Sequence, residues 1–377
     1  PRKSDIDHCG IARSVAMASW WAARELRFPK FTLIIPKGEN MDVLKALSFA
    51  AGRHKALVAA VAITAAGMLP AAYAAELKEV KFVEAVHNLG YINLYVGQHA
   101  KIFEKHGLKL DVSAAGGDTQ AFAAVLGKSA QFAIGDATMA QMSREQGGPG
   151  LVVGTVVQRA HYFGVSKKLS PIKDPKQFKG LTFVTSPEPN TNFSVTKKIV
   201  EDNGLKLGTD VKILQVNPGT EIAAMLAGQA DIAVAYQPSV ANAMSQGAKV
   251  VFDFASYMGP FCNTGIMVLP EYAKAHPDVV QALVDSFEEA SRLAYAKPEF
   301  AKEVARKEFP DLPAAVVNKA IEMQFEFKIP AQSVVVDQKQ WANLIAMQKY
   351  LGNVKGTIPF NQMIDNSYAE KAVKKFK

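Results

Sequence analysis

Short apolar runs alternate with segments of helical character along most of this chain. The runs at 80–86, 132–134, 151–157, 162–165, 181–185, 211–216, 232–235 and 250–254 have the length and β-branched content of strands. Between the first two, Ile92, Tyr95, Val96, Ile102 and Phe103 partly follow helical spacing and predict one helix. His106-Gly107 closes that helix with a residue suited to positive φ. Leu108, Leu110 and Val112 then alternate as a half-buried strand. Asp118, after Gly116-Gly117, is placed to cap a helix running to about Leu126. From Pro270 onward the pattern is mostly helical, punctuated at Pro277, Pro298, Pro310, Pro313 and Pro330. Strands alternating with helices predict an α/β architecture, with mixed or parallel sheets covered on both faces.

The pattern echoes itself at a spacing of 100 residues. Residues 124–134 align with 224–234, sharing Ala124/Ala224, Leu126/Leu226, Ala130/Ala230 and Ala133/Ala233. Each copy reads as a helix end, a polar turn and a brief apolar strand, followed by a polar cluster. Two lobes of similar build are expected, with a cleft between the C-terminal ends of their strands, where ligands usually sit.

One apolar run differs from the rest. Arg53, His54 and Lys55 precede 14 apolar residues, 56–69; Pro70 breaks the run, and Ala72-Tyr73-Ala74 offers a small-x-small cleavage motif. That is the layout of an export signal, and 14 residues are too few to span about 30 Å of hydrocarbon. With Met41 as the natural start, 41–74 is expected to be a signal peptide cleaved near Ala74, and 1–40 an upstream segment outside the mature protein. No cysteine follows the run, against lipid anchoring, and no Arg-Arg precedes it, against the twin-arginine route.

Removing this leader changes the charge picture. The chain carries 43 Lys and Arg against 35 Asp and Glu, but the leader holds 10 and 5 of these, leaving 33 and 30. Nucleic acid is therefore not an expected partner, and Cys262, the one cysteine left, rules out an internal disulfide. Catalytic signatures such as Gly-x-Ser-x-Gly, His-Glu-x-x-His, a Walker sequence or Cys-x-x-Cys do not occur. No cofactor is called for, and none of His87, His99, His106, His161 and His276 is spaced as a metal pair. Polar clusters do recur at strand ends. His87 ends the first strand and is either a ligand contact or a turn residue. Residues 116–119 offer free N–H groups at a helix start, suited to anionic groups. Asp136 to Thr138 closes the next strand, and Ser186 to Asn192, stiffened by two prolines, leads from strand to helix with Asn190 or Thr191 as its cap.

With these features the chain resembles the periplasmic solute-binding proteins of ABC importers, in the nitrate, sulfonate, taurine and thiamine-precursor group. The carriers are the leader; 97–108, ending Ile102-Phe103-Glu104-Lys105-His106-Gly107-Leu108; and 172–180, with Lys173-Asp174-Pro175. Further carriers are 223–235 with Tyr236-Gln237-Pro238, and 269–280, beginning Leu269-Pro270-Glu271-Tyr272. Where the family usually has an acidic or small residue this chain has Gln237, which leaves ligand polarity open.

The resemblance implies a two-lobed, type II binding-protein fold with two crossover strands and a helical C-terminal region. Mapped here, lobe 1 combines 77–166 with 257–377 and lobe 2 is 167–256, with crossings near 164–166 and 259–260. It implies ligand contacts at His87, Asn88, Gly117, Thr119, Asp136, Thr138, Ser186, Asn190, Thr191, Asn192, Tyr236, Gln237, Asn263 and Thr264. Tyr236 would be an aromatic wall. A monomer would capture a small, anionic solute such as a sulfonate, taurine or nitrate, and hand it to an ABC permease with its cytoplasmic ATPase. Arg159 could neutralise such an anion or form a surface ion pair. The rival readings are a thiamine-pyrimidine precursor protein of the same superfamily, whose synthesizing members use pyridoxal phosphate and a cysteine-rich iron motif, and a periplasmic sensor. The single mature cysteine and the export signal stand against synthesis.

Overall fold

A computed structural model describes residues 76–377. The upstream segment 1–40, the signal segment 41–74 and its cleavage site lie outside the described residues. Among the described residues no helix is long and apolar enough to cross a membrane.

Ten strands build two five-stranded sheets of the same plan. The first holds β1 (Lys78–Glu84), β2 (Leu108–Ala114), β3 (Phe132–Gly135), β4 (Leu151–Arg159) and β10 (Pro260–Val268) in the order β2-β1-β3-β10-β4. The second holds β5 (Phe163–Ser166), β6 (Thr182–Thr185), β7 (Lys212–Gln215), β8 (Ile232–Ala235) and β9 (Lys249–Asp253) in the order β7-β6-β8-β5-β9. In each, one strand, β1 or β6, runs parallel to both neighbours, and one strand, β10 or β5, runs antiparallel to both of its neighbours. The central strands β3 and β8 are buried along their whole length, as continuous apolar strands must be when both faces are covered. The chain is an α/β protein with a two-lobed fold.

The sequence echo has a physical counterpart in matching turns. Lys128 and Gly228 both adopt positive φ, 59° and 78°. Ser129 N–H donates to Ala124 and Gln229 N–H to Ala224, closing the two helices alike. Gln131 then donates its N–H to Lys81 O and accepts from Lys81 N–H through its side chain. Asp231 does the same with Thr182. Each lobe thus pins the strand after the turn, β3 or β8, to the parallel strand beside it, β1 or β6.

Four expectations change. The strand Phe163–Ser166 pairs with β8 and β9, so the chain leaves the first sheet at 160–162 and not at 164–166. The lobe boundary at 166/167 would have cut that strand from its partners. The return runs through the helix Phe254–Met258 into β10. That nine-residue strand was not among those expected from the apolar runs, yet 261–268 are all buried. The first helix is two, Ile92–His99 and Ile102–Lys105, separated at Lys101 with φ 54°. The break lets Phe103 fold back over Gly97, where a Cβ would lie 2.6 Å from its ring. Asp118 is the first residue of the helix Asp118–Leu126, not its cap.

The prolines of the C-terminal third mostly begin helices. Pro270, Pro277 and Pro298 each occupy a first-turn position, where a missing N–H costs nothing. The longest helix, Pro277–Ala296, covers the first sheet, with Phe287 5.8 Å from Phe82 and 5.5 Å from Phe103, ring to ring. Later helices also reach the second lobe. Gln237 Nε2 lies 3.2 Å from Met323 Sδ, and Lys198 Nζ 4.4 Å from the Tyr350 ring centre.

The second lobe's core centres on Phe178, fully buried and packed edge-on against Phe183 at 4.9 Å and Phe252 at 5.0 Å. Phe178→Ala leaves a cavity there, and a loss of about 3–5 kcal/mol is expected in urea denaturation. A loss below about 1 kcal/mol would show that this cluster does not hold the lobe together.

Candidate functional site

Strand ends from both sheets converge on a narrow cavity of about 20 Å³, room for about one water with the lobes as they stand. Ala85 and Val86 follow β1, Gly117 and Asp118 open a helix, and Ser186, Asn190 and Asn192 come from the β6 end. Tyr236 follows β8, His161 and Tyr162 form the first crossing, and Asn263 and Thr264 lie on β10. The cavity is therefore at the end of the cleft where the chain passes between lobes.

Its walls are aromatic. The buried His161 ring sits 4.6 Å from Tyr162, 5.6 Å from Tyr236 and 6.2 Å from Tyr91. Gly90 makes room for it, since a Cβ at that position would lie 2.3 Å from His161 Nδ1. Asn88 holds this turn by accepting the Gly90 N–H at 2.7 Å. Burial pushes the His161 pKa down to about 3, so the ring is neutral, and its Nδ1 has no hydrogen-bond partner. Asn263 Oδ1 is likewise buried and unpartnered.

The charged element is a pair of carboxyl groups. Asp118 keeps part of its surface toward the cleft, and Gly135 on β3 leaves room for it; a Cβ there would lie 2.8 Å from Asp118 Oδ1. Burial first, and then the neighbouring Asp136, raise the Asp118 pKa to about 7. Asp136 is also raised by burial, against four donors. These are Thr138 N–H at 2.9 Å, Thr138 Oγ1 at 2.6 Å, Thr191 Oγ1 at 2.5 Å and Gln348 Nε2 at 3.1 Å. Asp118 receives the Asp136 N–H at 2.9 Å. The better-solvated charge thus sits on Asp136, and Asp118 is the member that holds a proton near neutrality. No Lys or Arg lines the cavity, and Arg159, at the end of β4, does not reach it.

The structure sorts the expected site residues into three groups. Gly117, Ser186, Asn190, Asn192, Tyr236, Asn263 and Thr264 line the cavity. Ser186 is fixed there, donating to Glu221 at 2.7 Å and accepting from Asn192 Nδ2 at 3.1 Å. His87 lines a second, wider chamber; it lies 2.8 Å from Glu84 and stacks on Phe309 at 4.7 Å. The remaining six do not line the cavity. Asn88 caps its turn, exposed Thr119 rests against Met139, and Gln237 accepts from Ala241 N–H. Asp136, Thr138 and Thr191 form the buried network just described. In that network Thr191 crosses from the second lobe to Asp136 of the first, and Leu89 N–H crosses to Gln237 O at 3.0 Å.

Sequence reasoning missed Tyr91, Asp118, His161 and Tyr162. Asp118 was assigned to capping, and His161-Tyr162 fell just ahead of the misplaced crossing. An aromatic pair beside a strand end was the available signal. Cys262, next to Asn263, is buried and its thiol is pushed up to about 12, so it is no nucleophile at neutral pH.

A family model described as NMT1/THI5 like matches residues 88–301. The chain belongs to the NMT1/THI5-like family. The matched span includes both crossings and all of the cavity wall except Ala85 and Val86. YtlA of Bacillus subtilis, named provisionally as a binding protein, is 22% identical over 302 residues, covering 78% of this chain and 90% of its own. The alkanesulfonate-binding protein SsuA from Xanthomonas axonopodis, solved with MOPS bound, superposes with TM-score 0.64 at 16% identity, covering 78% of this chain and all of its own. The periplasmic nitrate-binding protein NrtA from Synechocystis gives TM-score 0.61 at 13% identity, covering 80% and 90%. The desulfurization enzyme DszB gives 0.60 at 13%, covering 80% and 100%. At these identities the likeness carries the fold, and this fold serves both binding proteins and an enzyme.

Thr191→Val removes one donor from Asp136 at nearly constant volume. Weakening of the contact between lobes by about 1–3 kcal/mol is expected, read as faster exchange of the Leu89 amide, with Thr191→Ser restoring protection. Unchanged exchange in Thr191→Val would show that this bond does not hold the lobes.

Proposed function

We propose that this protein is the solute-binding component of an ABC importer, exported to the periplasm, which holds one small molecule between its lobes and presents it to a membrane permease. Family membership and the two-lobed fold support the class. Closure on the solute would satisfy its polar groups from both sides, and the solute favours the closed form only by its differential affinity for it.

The cavity favours a different solute from the anion expected at the outset. The observation that carries this is Asp118: an acidic group facing an aromatic, low-dielectric cavity that no Lys or Arg lines. There an anion meets an uncompensated carboxyl, whereas a cation or a strong N–H donor meets an acceptor with lone pairs to spare. Tyr91, Tyr162 and Tyr236 offer ring faces to a planar cation or heteroaromatic, and neutral His161 and Asn263 add acceptors. We therefore infer a small aminated aromatic or heteroaromatic solute, a class that includes aminopyrimidines.

A second reading keeps the anion. The helices Asp118–Leu126 and Thr191–Asp202 both start at the cavity without a side-chain cap, so their first N–H groups are free for an oxyanion.

The sign of the pH dependence separates the two. A cation needs Asp118 without its proton, so the affinity of an amine that stays protonated is expected to rise about tenfold from pH 6 to pH 8. A sulfonate or nitrate would weaken over the same window, because it accepts a hydrogen bond from protonated Asp118. A thermal-shift screen of amines, aminopyrimidines, sulfonates and nitrate at both pH values reads this directly, since a ligand at 100 Kd stabilises by about 2.7 kcal/mol. Asp118→Asn should abolish the pH dependence and weaken the amines. Shifts from sulfonates or nitrate alone would refute the amine reading, and no shift from any class would refute capture of these solutes altogether.

A further inference from the structure

A second, wider chamber of about 340 Å³, partly open to solvent, adjoins the cavity. Val86, Pro218 and Tyr236 belong to the walls of both, so the two spaces share a partition. The chamber is itself built from both lobes. Phe309 and Leu312 stand on the first-lobe side, and Pro238, Ser239 and Asn242 on the second.

We propose that this chamber is a second ligand subsite, taking an apolar substituent that projects from the ring held in the inner cavity. This rests on the solute-binding reading and deepens it: the solute would be a compact polar ring with an alkyl or aryl tail.

Three features favour a tail over water or a second charge. First, Val86, Pro218, Pro238, Phe309, Leu312 and the Tyr236 ring form a mainly apolar surface, whereas the polar atoms that fix a ligand's orientation lie in the inner cavity. Second, the side chain in the wall that can carry a positive charge is already paired. His87 Nδ1 lies 2.8 Å from Glu84, which also accepts from Tyr95 Oη at 2.6 Å, and His87 Nε2 lies 3.7 Å from Glu308. With two carboxylates around it, His87 offers no free positive charge to an anionic tail. Third, the rim is held in place, because the His87 ring is stacked on Phe309 at 4.7 Å as well as hydrogen-bonded. A fixed apolar wall continuous with the ring site gives a tail surface to cover without reorganisation.

A ladder of 4-alkylbenzylamines, from unsubstituted to butyl, tests this by calorimetric titration of the mature protein. A parallel ladder of 4-alkylbenzenesulfonates covers the oxyanion reading of the inner cavity. Affinity is expected to rise up to about fourfold per methylene as the tail leaves water. Leu312→Ser should flatten that slope and Leu312→Met preserve it, a comparison that does not depend on the affinity of the unsubstituted probe. Circular dichroism of both variants checks that they fold. A flat or falling slope in the wild type, with the unsubstituted probe bound, would overturn the subsite and leave the solute-binding reading standing. The chamber would then be an entrance filled by water. Failure of both ladders to bind would overturn the ring-binding reading, and the subsite with it.

Discussion

Two neighbouring carboxyl groups, one buried and one partly buried, set the terms for the rest of the cleft. An ionised carboxylate removed from water is costly unless hydrogen bonds replace its hydration. Asp136 meets that demand with donors from its own loop, from Gln348 on the helix Gln338–Tyr350, and from Thr191 across the cleft. Its lone pairs are spent on structure. Asp118 receives one internal N–H, and Gly135 gives it space in place of a partner. The pair thus divides its labour: one acid ties the lobes, and the other faces the cavity with acceptor capacity unused. Environments that drive two like groups apart are a common way of giving each a separate role.

The aromatic wall strengthens that division. His161, kept neutral by burial, contributes no positive charge to offset Asp118, and three buried tyrosines line the same cavity. Electrostatic interactions inside such a cavity are stronger than in water, and unmet ones cost more. His161 and Tyr162 also belong to the segment where the chain passes between sheets. A change in the angle between lobes therefore shifts those rings relative to Asp118 and Tyr236. The geometry that defines the cavity is thus tied to the crossing by covalent continuity.

The fold was largely legible because its signals are local. Fully buried strands read as apolar runs, and the echo between 124–134 and 224–234 rests on turn chemistry repeated in both lobes. What escaped was non-local. Nothing near Pro260-Phe261-Cys262-Asn263-Thr264-Gly265 tells that polar Asn263 and Thr264 are buried in a central strand, since that depends on β3 and β4 flanking it. The site divided in the same way. Strand-end loops such as Ser186 to Asn192 could be picked out by their composition. The separate duties of Asp118 and Asp136 could not, because these depend on Thr191, Gln348 and Gly135, distant in sequence. Asp118 read as a helix cap and Asp136 as a ligand contact until their partners were known.

The same fold supporting binding proteins and a desulfurization enzyme means that architecture alone does not decide between capture and chemistry. The polar groups in this cavity bear on that choice. Ser186 is both donor and acceptor within its own lobe, Asn88 is occupied by a turn, and Asp136 is saturated. The Cys262 thiol is buried beside Thr155, with its proton held firmly. A nucleophile needs a base to activate it, and a proton shuttle needs a partner to pass the proton to. These residues instead hold one another still. Groups fixed before a ligand arrives lose little freedom when it binds, so this network is preorganised for whatever the cavity holds.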